Sequence, residues 1–295
     1  MVAVDFTIDN LDIMNIRKIK DTTEEYLSQT DYEGSTTIKN AIKSDQDYIW
    51  FRKSKKSTDA QEFGTAVHMA ILEPDLFEKT YFVFDDEEIV AKLIGGGSKS
   101  PRATKEYKEW VEAEMQRHSG RVSIGKQEME SFLVVQKRLQ QDSRYHQMIV
   151  PQEKETSFYV DNFYEGIGVK IRPDCCYNGL PEVDVKTTKD VTPIGFKREF
   201  FKYGYDIQRA LYLDVLTEYG YVVPESIILA IGNQPPFLHE FYHIPKDWII
   251  AAREKYKYGL QQIKRMREGK YYDGYAHKFM TTASGCIDLS SANYE

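Results

Sequence analysis

The stretch IRPDCCYNGLPEVDVKTTKD, residues 171–190, reads as two strands joined by a tight turn, with charged residues inside both strands. Asp184 and Lys186 lie two positions apart in the second strand, predicted over 181–187, so their side chains share one face of the sheet. A turn at YNGL would return the chain beside Asp174, which ends the first strand. A hairpin of this kind brings Asp174 and Asp184 close together.

Two neighbouring carboxylates repel each other unless a cation lies between them. Oxygen ligands of this type suit Mg²⁺ or Mn²⁺, and a nearby lysine can stabilise negative charge or help a metal-bound water to lose its proton. These are the groups that hydrolysis of a phosphodiester needs. The alternative interpretation is an ordinary salt bridge between Asp184 and Lys186 on an exposed sheet face.

The composition bounds the class of protein. The chain has 295 residues, 41% of them apolar, and a net charge of −7, which argues against nucleic-acid binding over the whole surface. Any DNA contact is therefore expected in a local groove. No apolar run approaches the roughly 20 residues of a membrane helix, and the N-terminus does not resemble a signal peptide. Three cysteines, two of them adjacent, suit a reducing cytoplasm, so we expect a cytoplasmic protein without membrane contact.

The periodicity of apolar residues predicts one α/β domain over 1–295, with a mixed central β-sheet flanked by helices. Within it we expect an N-terminal helical extension (1–60), a core (61–268) and a C-terminal tail (269–295), the first ~150 residues forming a helical layer. Helices are predicted over 35–53, 62–74, 103–117, 125–142, 192–201, 204–219 and 245–269, and strands over 155–161, 165–174, 181–187, 225–232 and 238–244. The segment 94–102 is either a mobile loop or a connector.

Two further polar features lie on predicted helices. His68 shares an inward face with Ile71 and Leu72, so it is either a core histidine or a ligand. Gln208 and Tyr212 are i, i+4 neighbours, which fits a half-buried amphipathic helix or a polar pair aimed at the active edge of the sheet.

Taken in order, the segments GTAVHMAILEP, RPD, DVKTT and YDIQRALYLD resemble the PD-(D/E)xK nuclease superfamily, most closely the phage-type exonuclease VIII (RecE-like) nuclease domain. The resemblance covers about residues 60–215 and implies a restriction-endonuclease-like core. It implies Mg²⁺ or Mn²⁺ as cofactor. Three cysteines are too few for the four-cysteine iron–sulfur cluster of several RecB-like relatives, so no cluster is expected.

Carried over residue by residue, the resemblance implies that His68 ligates or orients a metal, that Asp174 and Asp184 are the main carboxylate ligands, and that Lys186 is the catalytic lysine. The carbonyl of Val185 is the implied backbone ligand, and Gln208 and Tyr212 are the implied pair that positions DNA or water. Glu155 falls where such enzymes often carry another acid, although Glu153 is equally near.

The resemblance further implies a Mg²⁺-dependent exodeoxyribonuclease that digests linear double-stranded DNA from 5′ to 3′. The 3′ overhangs would serve homologous recombination of a phage or prophage in a bacterial host. Implied partners are DNA ends, further copies in a ring and a single-strand annealing protein. Alternatives are a structure-specific endonuclease, an end-trimming nuclease and a non-catalytic DNA-binding relative. A net-basic run after the DVK strand is either a phosphate track or a solvated helix face, and it contains Lys189, Lys197, Arg198 and Lys202.

Overall fold

The computed structural model of the protein describes residues 15–53, 59–272, 274–275 and 286. Its strands are β1 (Ile16–Ile19), β2 (Tyr81–Phe84), β3 (Val122–Gly125), β4 (Glu153–Lys154), β5 (Ser157–Tyr164), β6 (Ile167–Ile171), β7 (Cys175–Cys176), β8 (Glu182–Thr188), β9 (Ser226–Gly232) and β10 (His239–His243). Its α-helices are α1 (Thr23–Ser28), α2 (Ser35–Lys43), α3 (Asp45–Lys53), α4 (Asp59–Leu72), α5 (Pro74–Thr80), α6 (Glu87–Gly95), α7 (Lys105–Arg117), α8 (Lys126–Gln140), α9 (Ser143–Met148), α10 (Pro193–Lys202), α11 (Tyr205–Glu218) and α12 (Lys246–Arg267).

The central sheet has five strands in the order β10-β9-β8-β7-β4. Strands β8 and β9 run parallel and the other neighbours antiparallel, so the sheet is mixed, as predicted. Every residue of β9 is buried, which fits its continuous apolar sequence SIILAIG and its place between two strands. The strand that carries the acids and the lysine, β8, therefore lies in the middle of the sheet.

Apolar side chains cover both faces of this sheet. One buried cluster joins α2, α10, α11 and α12 to residues such as Ile228 and Ala230 of β9. The other joins α4 and α8 to residues such as Val183 and Val185 of β8. Because neighbouring side chains alternate along a strand, the residues between these valines face the side of α11. The charged residues of β8 thus point toward that helix.

The N-terminal region is not wholly helical, contrary to the prediction for the first ~150 residues. Strand β1 pairs antiparallel with β5 in a second sheet of order β1-β5-β6, and β2 pairs parallel with β3. The predicted helix 35–53 is two helices, because Ser44 adopts an extended backbone with φ −163° and ψ 164°. Its hydroxyl accepts a hydrogen bond from the Asp47 N–H at 3.0 Å.

The predicted strand 165–174 is also wrong in its extent, since within it only Ile167–Ile171 forms a strand. Strand β6 ends at Ile171 and belongs to the second sheet, whereas β7 begins at Cys175 in the central sheet. Pro173 lies in the break between the two strands, where no sheet hydrogen bond requires the N–H that proline lacks. Asp174 therefore lies at the crossing between the sheets.

Two other segments bear on the predictions. In the segment 94–102, the first residues complete α6 and a 3₁₀ turn covers Pro101–Ala103. Residues 1–14, 54–58, 273, 276–285 and 287–295 lie outside the described residues, and they include most of the predicted tail. Among the helices that the structure describes, none has the length and apolar character needed to cross a bilayer.

Candidate active site

Asp184 and Lys186 share one face of β8, as their spacing predicts. The Lys186 ammonium lies 2.5 Å from Asp184 Oδ2, and the Asp184 side chain has no exposed surface. The pairing is therefore buried, which rules out the alternative of a salt bridge on an exposed sheet face. Burial alone would lower the pKa of Lys186, but the negative charges of Asp184 and Asp174 outweigh it and raise that pKa. Lys186 is thus a cation at neutral pH.

The register of β7 and β8 brings Asp174 to the same point. Cys175 pairs with Val183, so one step further along this antiparallel ladder Asp174 lies opposite Asp184. The backbone N–H of Val185 donates to Asp174 Oδ2 at 2.6 Å. Burial would raise the pKa of Asp174, but the charges of His68 and Lys186 outweigh it and hold that pKa below its usual range. The predicted hairpin therefore places Asp174 opposite Asp184 on the neighbouring strand.

His68 enters this site from α4 and lies between two carboxylates. Its Nε2 lies 2.6 Å from Asp174 Oδ2 and its Nδ1 lies 3.0 Å from Glu155 Oε1. Burial would lower the pKa of His68, but Asp174 and Glu155 raise it to about 10. One turn earlier, a Cβ on Gly64 would lie 3.2 Å from the hydroxyl oxygen of Thr187, so a glycine allows α4 to approach β8 closely.

The structure distinguishes Glu155 from its neighbour Glu153. Glu155 has φ 49°, in the left-handed region that costs a non-glycine residue about 1–2 kcal/mol, and its Oε2 accepts from Arg172 Nε at 2.7 Å. Glu153 instead pairs with Lys18 at 2.7 Å, away from the histidine. Backbone strain and the Arg172 contact thus aim Glu155, and not Glu153, at His68.

One donor cluster emerges from these contacts. Single ligand atoms of His68, Glu155 and Asp174 all lie within 4.8 Å of one another. Asp184 is not one of these three donors: Arg209 donates to its Oδ1 at 2.7 Å and Lys186 faces its Oδ2. The Val185 carbonyl lies 3.5 Å from the Lys186 ammonium.

Helix α11 supplies the predicted glutamine and tyrosine. Gln208 Nε2 donates to the Tyr212 hydroxyl at 3.3 Å, so the two share a face. The Arg209 guanidinium lies over the Tyr212 ring at 4.6 Å and its side chain is fully buried. Sequence reasoning missed Arg209, although an arginine inside the apolar run IQRALYL was a signal that it needed a buried acidic partner.

Lys39 of α2 is a second cation that the sequence reasoning missed. Its ammonium donates to the Tyr203 carbonyl at 3.1 Å and lies 6.0 Å from the centre of the Tyr205 ring, and the Lys186 ammonium lies 5.3 Å from that ring centre. Burial and then the charge of Lys186 lower the pKa of Lys39 to about 8. Among the described residues no carboxylate pairs with Lys39, so two cations flank Tyr205.

The four basic residues of the candidate phosphate track are all exposed. Three lie on α10 and one lies just before it, and the Lys197 ammonium lies 5.1 Å from the centre of the Trp248 ring. The full set is Lys189, Lys197, Arg198 and Lys202.

The family model for the PDDEXK-like domain of unknown function (DUF3799) matches residues 34–280. The chain belongs to this PDDEXK-like family. Its name describes a Pro-Asp pair followed by an acid-x-Lys triplet, which here correspond to Pro173–Asp174 and Asp184-Val185-Lys186.

This PDDEXK-like chain also matches the crystal structure of a "putative exonuclease" from Eubacterium rectale. The TM-score is 0.59 and the identity 18%, over 86% of this chain and 89% of that one, so the two share a fold. No curated protein matches the chain. Together the findings confirm the predicted PD-(D/E)xK class and its restriction-endonuclease-like core.

Proposed function

We propose that the chain is a Mg²⁺- or Mn²⁺-dependent exodeoxyribonuclease that hydrolyses phosphodiester bonds of linear double-stranded DNA. The observation that carries the proposal is a pair of buried carboxylates on neighbouring strands: Asp184 Oδ2 lies 2.5 Å from the Lys186 ammonium, and Asp174 Oδ2 accepts from the Val185 N–H at 2.6 Å. Membership of a PDDEXK-like family supports nuclease chemistry. Exonuclease action is supported by the RecE-like motifs and by the fold shared with the Eubacterium rectale protein.

The donor set fits a divalent cation. Two carboxylates and an imidazole within 4.8 Å would hold it, namely Glu155, Asp174 and His68, and the resemblance adds Asp184 and the Val185 carbonyl. When bound, the cation would polarise the scissile phosphodiester and acidify the attacking water. Because the pKa of His68 is raised to about 10, its imidazole must lose a proton before it can act as a ligand.

The remaining side chains act on the phosphate. Lys186 is charged, so its role is to stabilise the negative charge that grows on the phosphoryl oxygens. Lys39 adds a second positive charge near it and has no acidic partner among the described residues, which leaves its ammonium available to a neighbouring phosphate. Gln208, fixed by Tyr212, can orient a phosphate oxygen or the attacking water.

By resemblance we extend the proposal to 5′-to-3′ digestion that leaves 3′ single strands for phage or prophage recombination. The same resemblance supports a homo-oligomeric ring, a single-strand annealing protein as partner and action in the cytoplasm of a bacterial host. The exposed residues Lys189, Lys197, Arg198 and Lys202 are the proposed track for the DNA backbone.

The test is digestion of one linear duplex, labelled at its 5′ or 3′ end, beside the same DNA as a closed circle. Reactions contain Mg²⁺ or EDTA, and Lys186→Ala and Asp184→Asn serve as inactive controls whose folding is checked by circular dichroism. Cation-dependent loss of the linear form alone establishes an exonuclease, and the label gives its direction. Both variants should lose at least about 100-fold in rate.

The other outcomes favour other functions. Cutting of the circle assigns an endonuclease, and binding without cutting assigns a DNA-binding relative. Near-normal rates in both Lys186→Ala and Asp184→Asn contradict the assigned site.

A further inference from the structure

Strand β8 presents a row of charges toward α11. Glu182, Asp184 and Lys186 occupy alternate positions and so share one face of the strand. The side chains of Glu182 and Asp184 have no exposed surface, and that of Lys186 is 19% exposed. Buried charges are costly unless they are paired, so the partners of this row decide how each member points.

Arg209 is the partner that joins the first two members. One terminal nitrogen of its guanidinium pairs with Glu182 Oε1 and the other donates to Asp184 Oδ1 at 2.7 Å. The second oxygen of Glu182 accepts from the Ser226 hydroxyl at 2.7 Å. The Tyr212 ring lies against the guanidinium at 4.6 Å. The planar fork of Arg209 is therefore fixed at its far end by Glu182 and on its face by Tyr212.

This fixation determines which oxygen of Asp184 is available. Oδ1 is occupied by Arg209, so Oδ2 is the oxygen that faces the Lys186 ammonium, at 2.5 Å. Rotation of the carboxylate would break a buried charged hydrogen bond, which is among the stronger contacts in a protein. If Asp184 were its only acidic partner, the Arg209 side chain could rotate together with the Asp184 carboxylate. The second ion pair, with Glu182 on the same face of β8, prevents this rotation.

We propose that Arg209 is a positioning residue for phosphodiester hydrolysis: anchored by Glu182, it orients the Asp184 carboxylate so that Oδ2 faces the Lys186 ammonium and is the oxygen left to contact the divalent cation. The inference rests on the proposed nuclease function and deepens it. It predicts an effect on the rate of the chemical step and on the response to a divalent cation, and little effect on the affinity for DNA.

The experiment compares Arg209→Met, Arg209→Lys and Glu182→Gln with Arg253→Met. Arg253 is the matched control, because it also forms a two-nitrogen pair with an aspartate, Asp214, at 2.7 and 2.9 Å, but on α12 away from β8. Each protein is assayed for kcat and KM on linear duplex. Its thermal midpoint is also measured with and without Mg²⁺, which reports cation binding independently of turnover.

We expect Arg209→Met to lower kcat about 100-fold with KM changed less than about threefold, and to shrink the Mg²⁺-dependent rise in thermal midpoint. Arg209→Lys keeps the charge but not the fork, so it should recover part of kcat. The kcat of Glu182→Gln should lie between those of Arg209→Lys and the wild type. Arg253→Met should keep the wild-type kcat and cation response.

Several results would overturn the proposal. One is a kcat for Arg209→Met within threefold of Arg253→Met, and another is a change in KM alone. If Arg209→Met does not fold, Arg209→Lys and Glu182→Gln decide, and wild-type kcat in both refutes the positioning role. Absence of digestion by the wild type is a different result, since it refutes the proposed function itself.

Discussion

Glu155 and Glu153 form a natural matched pair, because the two acids are two residues apart and the structure gives them different partners. Glu155 contacts His68 at 3.0 Å and Arg172 at 2.7 Å and its side chain is 12% exposed, whereas Glu153 pairs with Lys18 and is 36% exposed. Glu155→Gln therefore removes a charge from a buried site between two basic groups. Glu153→Gln removes a charge from a partly solvated ion pair.

The expected magnitudes differ accordingly. Loss of the charged hydrogen bonds at Glu155 should lower the free energy of unfolding by about 1–3 kcal/mol, against about 0–1 kcal/mol for the pair of Glu153. If Glu155 is one of three donors to a catalytic cation, Glu155→Gln should also lower the digestion rate by about 100-fold. Glu153→Gln should stay within twofold of wild type, by the same reasoning about solvated pairs.

The assay is the rate of linear duplex digestion, with unfolding in urea for both variants. A third variant, Arg172→Met, separates aiming from ligation, because it keeps the Glu155 carboxylate but removes the contact that directs it. We expect an intermediate loss of rate for Arg172→Met. Equal rates for Glu155→Gln and Glu153→Gln would refute the assignment of Glu155 to the site.

Three further outcomes are expected. Lys39→Ala should raise KM for DNA. In the wild type KM should rise as the pH passes about 8, the pKa of Lys39, and a pH-independent KM would contradict this. Between that pH and the ordinary lysine pKa, the unfolded chain binds more protons at this residue than the folded chain does. The free energy of unfolding should therefore increase with pH over this range. Gly204→Ala should lower the free energy of unfolding by about 1–2 kcal/mol, because the φ of Gly204 is 62°. It should also raise KM as Lys39→Ala does, because the new Cβ would lie 2.8 Å from the Lys39 side chain. Normal KM and stability would refute this prediction. Alanine at each residue of the phosphate track should reduce the slope of log K against log[salt] by about one, and unchanged slopes would indicate a solvated helix face. The track residues are Lys189, Lys197, Arg198 and Lys202.

The parts of the site that the sequence predicts are those set by short-range geometry. The spacing of Asp184 and Lys186 places both on one strand face whatever the rest of the fold does. The turn at YNGL similarly requires Asp174 to return beside Asp184, and the register of β7 and β8 agrees. The mixed sheet followed from the order of the predicted helices and strands, each of which was located from its local hydrophobic period.

The parts that the sequence did not predict depend on distant segments. Lys39 donates to Tyr203, 164 positions away, and Arg209 reaches Glu182 across 27 positions and a change of layer. Strand β1 escaped prediction because four residues of mixed polarity, IRKI, form a strand only when β5 is there to pair with them. The periodicity of apolar residues does not reveal these long-range contacts, because they depend on how one element packs on another.

The buried charges of β8 are themselves an argument for function. A buried ion pair seldom stabilises a fold more than apolar residues of the same size, because desolvation offsets most of the attraction. Here burial raises the pKa of Glu182 to about 7 even with Arg209 beside it, so the desolvation cost exceeds the gain at this carboxylate. On the same strand Val183 and Val185 show that apolar residues pack well in this sheet. A strand face that places two acids and a lysine where valines would be more stable, and draws an arginine from α11 onto the acids, is best explained by what those charges do to a substrate.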